Sequence, residues 1–422
     1  MPKCVRGSLL LLAAFCLVAC RRQPPVLPTS LQTMVEQADA KTTQLQGRIL
    51  LWHPFEGTEA TVFNAILDEY SDLYPQVEIV REYVPREEMA ERFILQTHAG
   101  LGPDVLINWN IYALVLIEAG MLRALPAEEV EPSRYLDATI AQVRYRGKFY
   151  GLPLSTNLPV LCYNKQQVEN PPKTLTELLE AARAGHRVAV LSGFFETFWG
   201  AGNFGGQLFD SQGKVLLDRG GWAEWLEWLK TAQNEQNFIL SDDREALRQA
   251  FYQGELAYST CASYELPDIR ERLGENTLGV TLLPQHEGNP AAPALVTNTF
   301  MFSQAASANN REIALHVANF LTNPQQQLNL VLGTESQIPT SSEVKIDWRL
   351  SPIQSVLLAQ AKTSVAIPLD YIQRGWRVKD YGDVLYKSVL EGEIEPSDAA
   401  SELSDNVNRE FGFEVEAVND GE

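Results

Sequence analysis

The sequence predicts an α/β fold with a largely parallel sheet, and three observations lead there. Short apolar runs alternate with longer stretches whose apolar residues recur every three or four positions, the pattern of strand followed by helix. Glycine, proline and capping residues punctuate these runs where elements should begin and end. About 400 residues follow an N-terminal leader, enough for two or three domains, and 45% hydrophobic with 21% charged residues allows full-sized cores.

The leader comes first. Lys3 and Arg6 precede an apolar run from Leu9 to Ala19, which ends Leu17-Val18-Ala19-Cys20. A basic head, roughly a dozen apolar residues and a small residue before the cut make an export signal. The run is too short for a membrane span, which needs about 20 apolar residues. Its last four residues resemble the lipobox of bacterial lipoproteins. That resemblance implies a signal peptide over residues 1–19, lipidation at Cys20, and anchoring to a membrane of the cell envelope on its periplasmic or extracytoplasmic face. Residues 20–46 are polar with scattered prolines and read as a flexible tether.

The net charge of -20, or -22 without Lys3 and Arg6, repels polyphosphates at long range and argues against nucleic acid as a partner. Of the five cysteines, Cys4 and Cys16 leave with the signal. Cys162 and Cys261 lie 99 residues apart in apolar settings. An oxidising compartment permits a bridge, but the apolar flanks favour two buried free thiols. No CxxC or zinc spacing occurs, and no cofactor or metal is implied.

From Arg48 the elements follow in order. Ile49-Leu50-Leu51-Trp52 is a buried-strand signal. A helix follows with Val62, Phe63, Ile66, Leu67, Tyr70 and Leu73 at helical spacing, opening near Gly57-Thr58 and stopped by Pro75. Val77–Val80 reads as a second strand, Pro85 to His98 as a second helix ending at Gly100, and Asp104–Ile107 as a third strand. Arg146-Gly147 reads as a hairpin turn. Thr174 with Glu177 forms a capping box opening a helix that stops at Gly185, and Val188–Leu191 resumes a strand. Helices are expected over 220–235, 242–253, 309–321 and 324–332, the last capped by Asn323 with Pro324 in its first turn. Trp222, Trp225, Trp228 and Leu229 share a packing face.

Several segments, in this order, resemble a known family. The first strand ends in Trp52; Gly102-Pro103-Asp104-Val105 follows, then Gly147-Lys148-Phe149-Tyr150-Gly151-Leu152-Pro153 and Tyr163-Asn164-Lys165. Pro172 to Leu179, Phe251-Tyr252-Gln253-Gly254-Glu255-Leu256-Ala257, Ala318-Asn319-Phe320-Leu321-Thr322 and Ile338-Pro339-Thr340 complete the set. Together they are similar to the extracellular solute-binding proteins of ABC importers, in the maltose-binding-like (family 1) cluster. The resemblance implies a two-lobed, type II periplasmic-binding-protein fold with a hinge and an interlobe ligand cleft. By analogy the first lobe takes residues 47–155 and 295–342, and the second takes 160–294 and 343–422. It further implies a monomeric, non-catalytic receptor that hands a small solute to ABC permease subunits in the membrane.

A sugar offers hydroxyl edges and weakly apolar faces, so its site needs flat aromatic platforms among carboxylates and amides. The segments expected at strand ends supply them. His53, Phe55 and Glu56 follow the first strand, and Asn108 and Trp109 the third. Asn157 lies at the first crossover and Asn298 at the return. Glu196, Trp199, Tyr264, Trp376 and Tyr381 complete the candidate ligand-binding set. The competing reading for Trp52 and His53 is core and loop packing, and for Trp376 and Tyr381 packing of the last helices. Arg374 and Arg377 are the only basic residues near these candidates, which favours a sugar, oligosaccharide or polyol over a phosphorylated solute. Glu56, Glu196 and Glu265 leave a cationic ligand such as a polyamine open.

Gly200-Ala201-Gly202-Asn203-Phe204-Gly205 matches GxGxxG, but it follows an aromatic run rather than a strand and reads as a loop ending a helix. No nucleophile elbow or HExxH is present. An exported glycosidase, whose carboxylate pair any acidic surface could hide, stands as the alternative, beside a sensory binding protein that no longer transports.

Overall fold

The computed structural model describes residues 45–274, 276–347, 349 and 351–414. The export signal, Cys20 and residues 20–44 of the tether lie outside the described residues. From Gln46 onward the chain makes one compact unit, and within it two large separate sheets each carry their own helices, beside a two-stranded hairpin. The strands begin β1 (Gly47–His53), β2 (Val77–Tyr83), β3 (Val105–Trp109), β4 (Arg144–Tyr145), β5 (Lys148–Phe149), β6 (Leu152–Asn157) and β7 (Pro159–Asn164). They continue β8 (Val188–Leu191), β9 (Phe238–Ser241), β10 (Tyr258–Ala262), β11 (Leu278–Thr281), β12 (Ala294–Phe302), β13 (Ile338–Pro339) and β14 (Val365–Ala366).

The first sheet has the order β13-β6-β12-β3-β1-β2, with β14 paired to β12. The second has the order β11-β7-β10-β8-β9. Both are mixed, where the sequence had suggested a largely parallel sheet. β1 is parallel to β2 and β3, whereas β12 runs antiparallel to β3 and β6. In the second sheet β8 is parallel to β9 and β10, and β7 is antiparallel to β10 and β11. The antiparallel members include the strands that carry the chain between sheets. β6 runs through Leu158 directly into β7, and β12 brings the chain back from β11. Such crossings need no helix to return them, so they are free to run against the βαβ units.

Local chemistry accounts for the elements. The helix Gly57–Leu73 buries Phe63, Ile66, Leu67 and Tyr70 at helical spacing and ends ahead of Pro75. Thr174 accepts from the Glu177 amide at 3.1 Å while Glu177 accepts from the Thr174 amide, the reciprocal cap of the helix Leu175–Arg183. Asn323 caps Pro324–Thr334 through the Gln326 amide at 2.9 Å. β4 and β5 meet through Arg146 and Gly147, both at positive φ (48° and 77°), as a two-residue type I′ turn requires. The glycine-rich run is a 3-10 turn, Phe198–Phe204, following the helix Phe194–Thr197 rather than an open loop. A Cβ on Gly200 would lie 2.2 Å from the Trp225 ring, so close packing explains that glycine without a nucleotide. Trp222 and Trp225 are fully buried on their helix, and Trp228 packs flat against Trp225, 4.9 Å between ring centroids.

Cys162 and Cys261 are bridged, which corrects the expectation of free thiols. Cys162 on β7 and Cys261 on β10 sit on neighbouring antiparallel strands with Cα atoms 6.0 Å apart. Apolar flanks placed them inside correctly but gave no hint of register, and register is what brings two cysteines into bonding range. Closing a loop of 99 residues contributes about 2–4 kcal/mol in the usual range. The double variant Cys162→Ser/Cys261→Ser is expected to unfold at lower denaturant by about that amount. A denaturation curve matching the parent would show that the bridge adds no stability.

Candidate functional site

In both sheets the parallel strands end on the same side, facing a common cleft, and ligand sites in open α/β sheets form at such carboxyl ends. From the first sheet, β1 delivers Pro54 and Glu56, β2 delivers Tyr83 and Arg86, and β3 delivers Trp109. From the second, β8 leads to Phe195 and Glu196, β9 to Arg244, and β10 to Tyr264 and Glu265. Together they enclose a cavity of about 510 Å³ and a smaller one of about 200 Å³. Trp109 and Tyr264 border both. Their rings, one from each sheet's strand ends, meet at 5.7 Å and 51°.

The larger chamber is densely charged. Arg86 lies over the Trp109 ring, 4.5 Å from its centroid, and donates to Asn108 at 3.4 Å. Among the described residues it forms no ion pair within 4.0 Å. Burial draws its pKa down to about 10, with Glu59 and Tyr264 opposing. Glu59, in the first turn of the helix Gly57–Leu73, is pushed up by burial against hydrogen bonds from Ser336 and Gln337. Tyr264 is raised to about 12, by burial first and then by Glu265. Across the cavity Asp268 is held low despite burial, by Tyr252 and Arg272. Arg248 and Arg272 grip its two oxygens at 3.0 and 2.8 Å. Arg244 pairs with buried Glu265 at 3.3 Å.

The sequence-named residues divide into three groups. Glu56, Trp109, Asn157, Glu196 and Tyr264 line one chamber or both. His53, Phe55, Asn108 and Asn298 sit just behind the wall, all buried. Asn108 fixes the wall by accepting from the Trp109 amide at 2.8 Å and donating to the Arg86 carbonyl at 3.0 Å. Asn298 joins Ser155 and Gln337 in a buried network between the crossing strands. Trp199, Trp376 and Tyr381 border neither chamber. Trp199 is packed 4.7 Å from Trp225 in the aromatic core, Trp376 packs on that core, and Tyr381 stands exposed on the helix Ile372–Glu391.

The expectation of few cations fails. Arg86, Arg244, Arg248 and Arg272 all reach the cleft. Arg374 instead bonds the Gln212 and Gly213 carbonyls, and Arg377 pairs with Glu410. Arg86 carries no local signal in the sequence because β2 runs on to Tyr83, past the charged Arg81-Glu82 that hides the strand. Arg244 carries none because β9, whose end positions it, has a weak pattern of four residues.

His53 has a consequence of its own. Its ring lies 6.0 Å from Phe55 and 5.1 Å from Phe63, its Nδ1 has no partner among the described residues, and burial with nearby Arg81 lowers its pKa to about 4. The folded state therefore holds it neutral while the unfolded chain takes up a proton near pH 6.5. Stability is expected to fall as pH drops from 6.5 towards 4, by about 2–3 kcal/mol from this group. His53→Phe should flatten that part of the stability profile; an unchanged slope would assign the loss to other groups.

The model of the bacterial extracellular solute-binding protein family matches residues 65–349. The chain is 33% identical over 136 residues to a maltotriose-binding protein of Pyrococcus abyssi, a match covering 32% of this chain and 30% of that protein. It is 21% identical over 389 residues to a galactooligosaccharide-binding protein of Bacillus subtilis, covering 88% and 91%. Its fold is similar to that of the GacH receptor of Streptomyces glaucescens (TM-score 0.75, 18% identity, 88% of this chain and 100% of that one). It is similar also to the maltose-maltodextrin binding protein of Alicyclobacillus acidocaldarius (TM-score 0.72, 19% identity, 86% and 100%). The architecture is the two-lobed, type II periplasmic-binding-protein fold. Homology runs to non-catalytic binding proteins rather than to enzymes. With two thirds of its length matched by the family's model, this chain belongs to the bacterial extracellular solute-binding proteins.

Proposed function

We propose that this chain is the solute-capturing receptor of an ABC importer, lipid-anchored at Cys20 outside the cytoplasm, which closes on a sugar or oligosaccharide and presents it to the membrane permease. The observation that carries this reading is the contact of Trp109 with Tyr264, where wall residues from the two sheets meet over a cavity. The lobes in this reading comprise residues 47–155 with 295–342 and 160–294 with 343–422. Their hinge is the Leu158 crossover with β12. Closure is favoured because ligand contacts from both lobes form together only in the closed state.

The chamber's chemistry supports a neutral, polyhydroxylated guest. Six carboxylates (Glu56, Glu59, Glu87, Glu265, Asp268, Glu271) stand there with three guanidinium groups (Arg86, Arg248, Arg272). A phosphate would meet the carboxylates and an amine the guanidinium groups. Hydroxyls donate to the first and accept from the second, and Trp109 and Tyr264 offer stacking faces. The names of the sugar-binding relatives point the same way. Micromolar affinity, about -8 kcal/mol, is within reach of one stacked ring and several charge-assisted hydrogen bonds. Calorimetric titration with mono- and oligosaccharides should give saturable binding without product. Turnover of the bound sugar would replace this reading with that of a glycosidase.

A further inference from the structure

The two chambers differ in chemistry, and the difference bears on the ligand. The smaller one, which shares Trp109 and Tyr264 with the larger, is walled mainly by Leu158, Pro159, Leu191, Phe195, Ala262 and Val296. Its polar side chains are mostly engaged elsewhere. Thr260 accepts from the Leu191 amide at 3.0 Å, and Arg244 gives one N–H to Glu265, its other donors having no partner among the described residues. Asn157 accepts from Ser263 at 3.0 Å and donates to Gln337. Only Glu196, among the described residues away from the shared Trp109–Tyr264 pair, enters this chamber without a hydrogen-bond partner on its carboxylate. The larger chamber is the reverse, with Arg86, Glu56, Glu87 and Glu271 offering several unfilled donors and acceptors. A fully hydroxylated ring in the smaller chamber would find Glu196 and the spare Arg244 donors on one side and leave its hydroxyls towards the Leu158, Pro159, Leu191, Phe195, Ala262 and Val296 walls unpaired, whereas an apolar group of similar size would shed water from those walls.

On the reading of this cleft as a sugar receptor, we infer that the natural ligand is two-part. A hydroxyl-rich sugar fills the larger chamber, and a less polar unit, an aryl or alkyl aglycone or a deoxygenated sugar, enters the smaller one beside the Trp109–Tyr264 pair. The smaller chamber then selects for low polarity, since a hydroxyl held there without a partner gives up the hydrogen bonds that water supplied.

The test is a set of matched titrations of the full chain. Each sugar of a panel (glucose and galactose series) is offered as the free disaccharide, as its p-nitrophenyl glycoside, and as an analogue whose terminal ring is 6-deoxy. At least one series should bind tenfold or more tightly in a less polar form; a gain confined to p-nitrophenyl identifies an aglycone, and one confined to the deoxy analogue a deoxygenated sugar. Ala294→Leu, which narrows the chamber, should bring the ratio towards one. Free disaccharides that bind as tightly as both partners in every series would overturn the inference and leave the receptor reading standing. Absence of binding in all series would count against the receptor reading, and the inference would fall with it.

Discussion

Trp109→Ala is expected to weaken ligand binding by more than tenfold while leaving the fold in place. The ring borders both chambers, supports the Arg86 guanidinium at 4.5 Å and meets Tyr264 at 5.7 Å. Removing it takes away a stacking face and the surface that orients Arg86. It also removes one of the contacts between the walls that the two sheets contribute. Tenfold corresponds to about 1.4 kcal/mol, a modest demand on an aromatic contact that adds about 0.5–1.5 kcal/mol beyond its area and a cation–π pair of similar size. The cost to the fold is small because Trp109 closes β3 and is not in its interior. Titration of the variant, with its circular dichroism spectrum as control, decides the point. Unchanged affinity would remove Trp109 from the site.

Gln337→Leu should act on the frame and lower stability by about 3 kcal/mol or more. Gln337 is fully buried. Its Oε1 accepts from Ser155 at 2.6 Å, Asn298 at 3.0 Å and Asn157 at 3.4 Å, and its Nε2 donates to Glu59. Its carbonyl takes a further bond from Gln354 at 3.0 Å. Asn157 in turn accepts from Ser263, beyond the end of β10. One amide thus ties the cleft carboxylate Glu59 to β6, β12 and the second sheet. Leucine matches the volume and keeps the carbonyl bond to Gln354, but it strips the amide partner from Ser155, Asn157, Asn298 and Glu59, and each donor or acceptor left unpaired in the interior costs about 1–3 kcal/mol. Chemical denaturation would measure the loss. A variant within about 0.5 kcal/mol of the parent would mean the network is paired with water instead.

The α/β class was readable because strand and helix periods hardly compete in segments such as Ile49–Trp52 and Val62–Leu73. Caps at Thr174 and Asn323 were equally plain, since their partners lie within one turn. What escaped depends on neighbours distant in sequence. The antiparallel members arise from crossings such as β6 to β7, and no local pattern states strand direction. The Cys162–Cys261 bridge needs the pairing of β7 with β10. In the cleft, Trp109 and Tyr264 stood out as aromatics at expected strand ends. Trp199 carried the same signal yet faces Trp225, because a side chain's direction after a strand is set by packing rather than by composition. The arginines were hidden for a further reason: Arg86, Arg244, Arg248 and Arg272 sit in first turns or on helices where a charge ordinarily means a solvated face.

Small-angle X-ray scattering, recorded while the chain is titrated with a sugar shown by calorimetry to bind, tests hinged capture most directly. The radius of gyration should fall with the same midpoint as the heat of binding and level off at saturation. Saturable binding with a scattering profile that never changes would mean the solute docks on a rigid body, and the closing cleft would have to be given up.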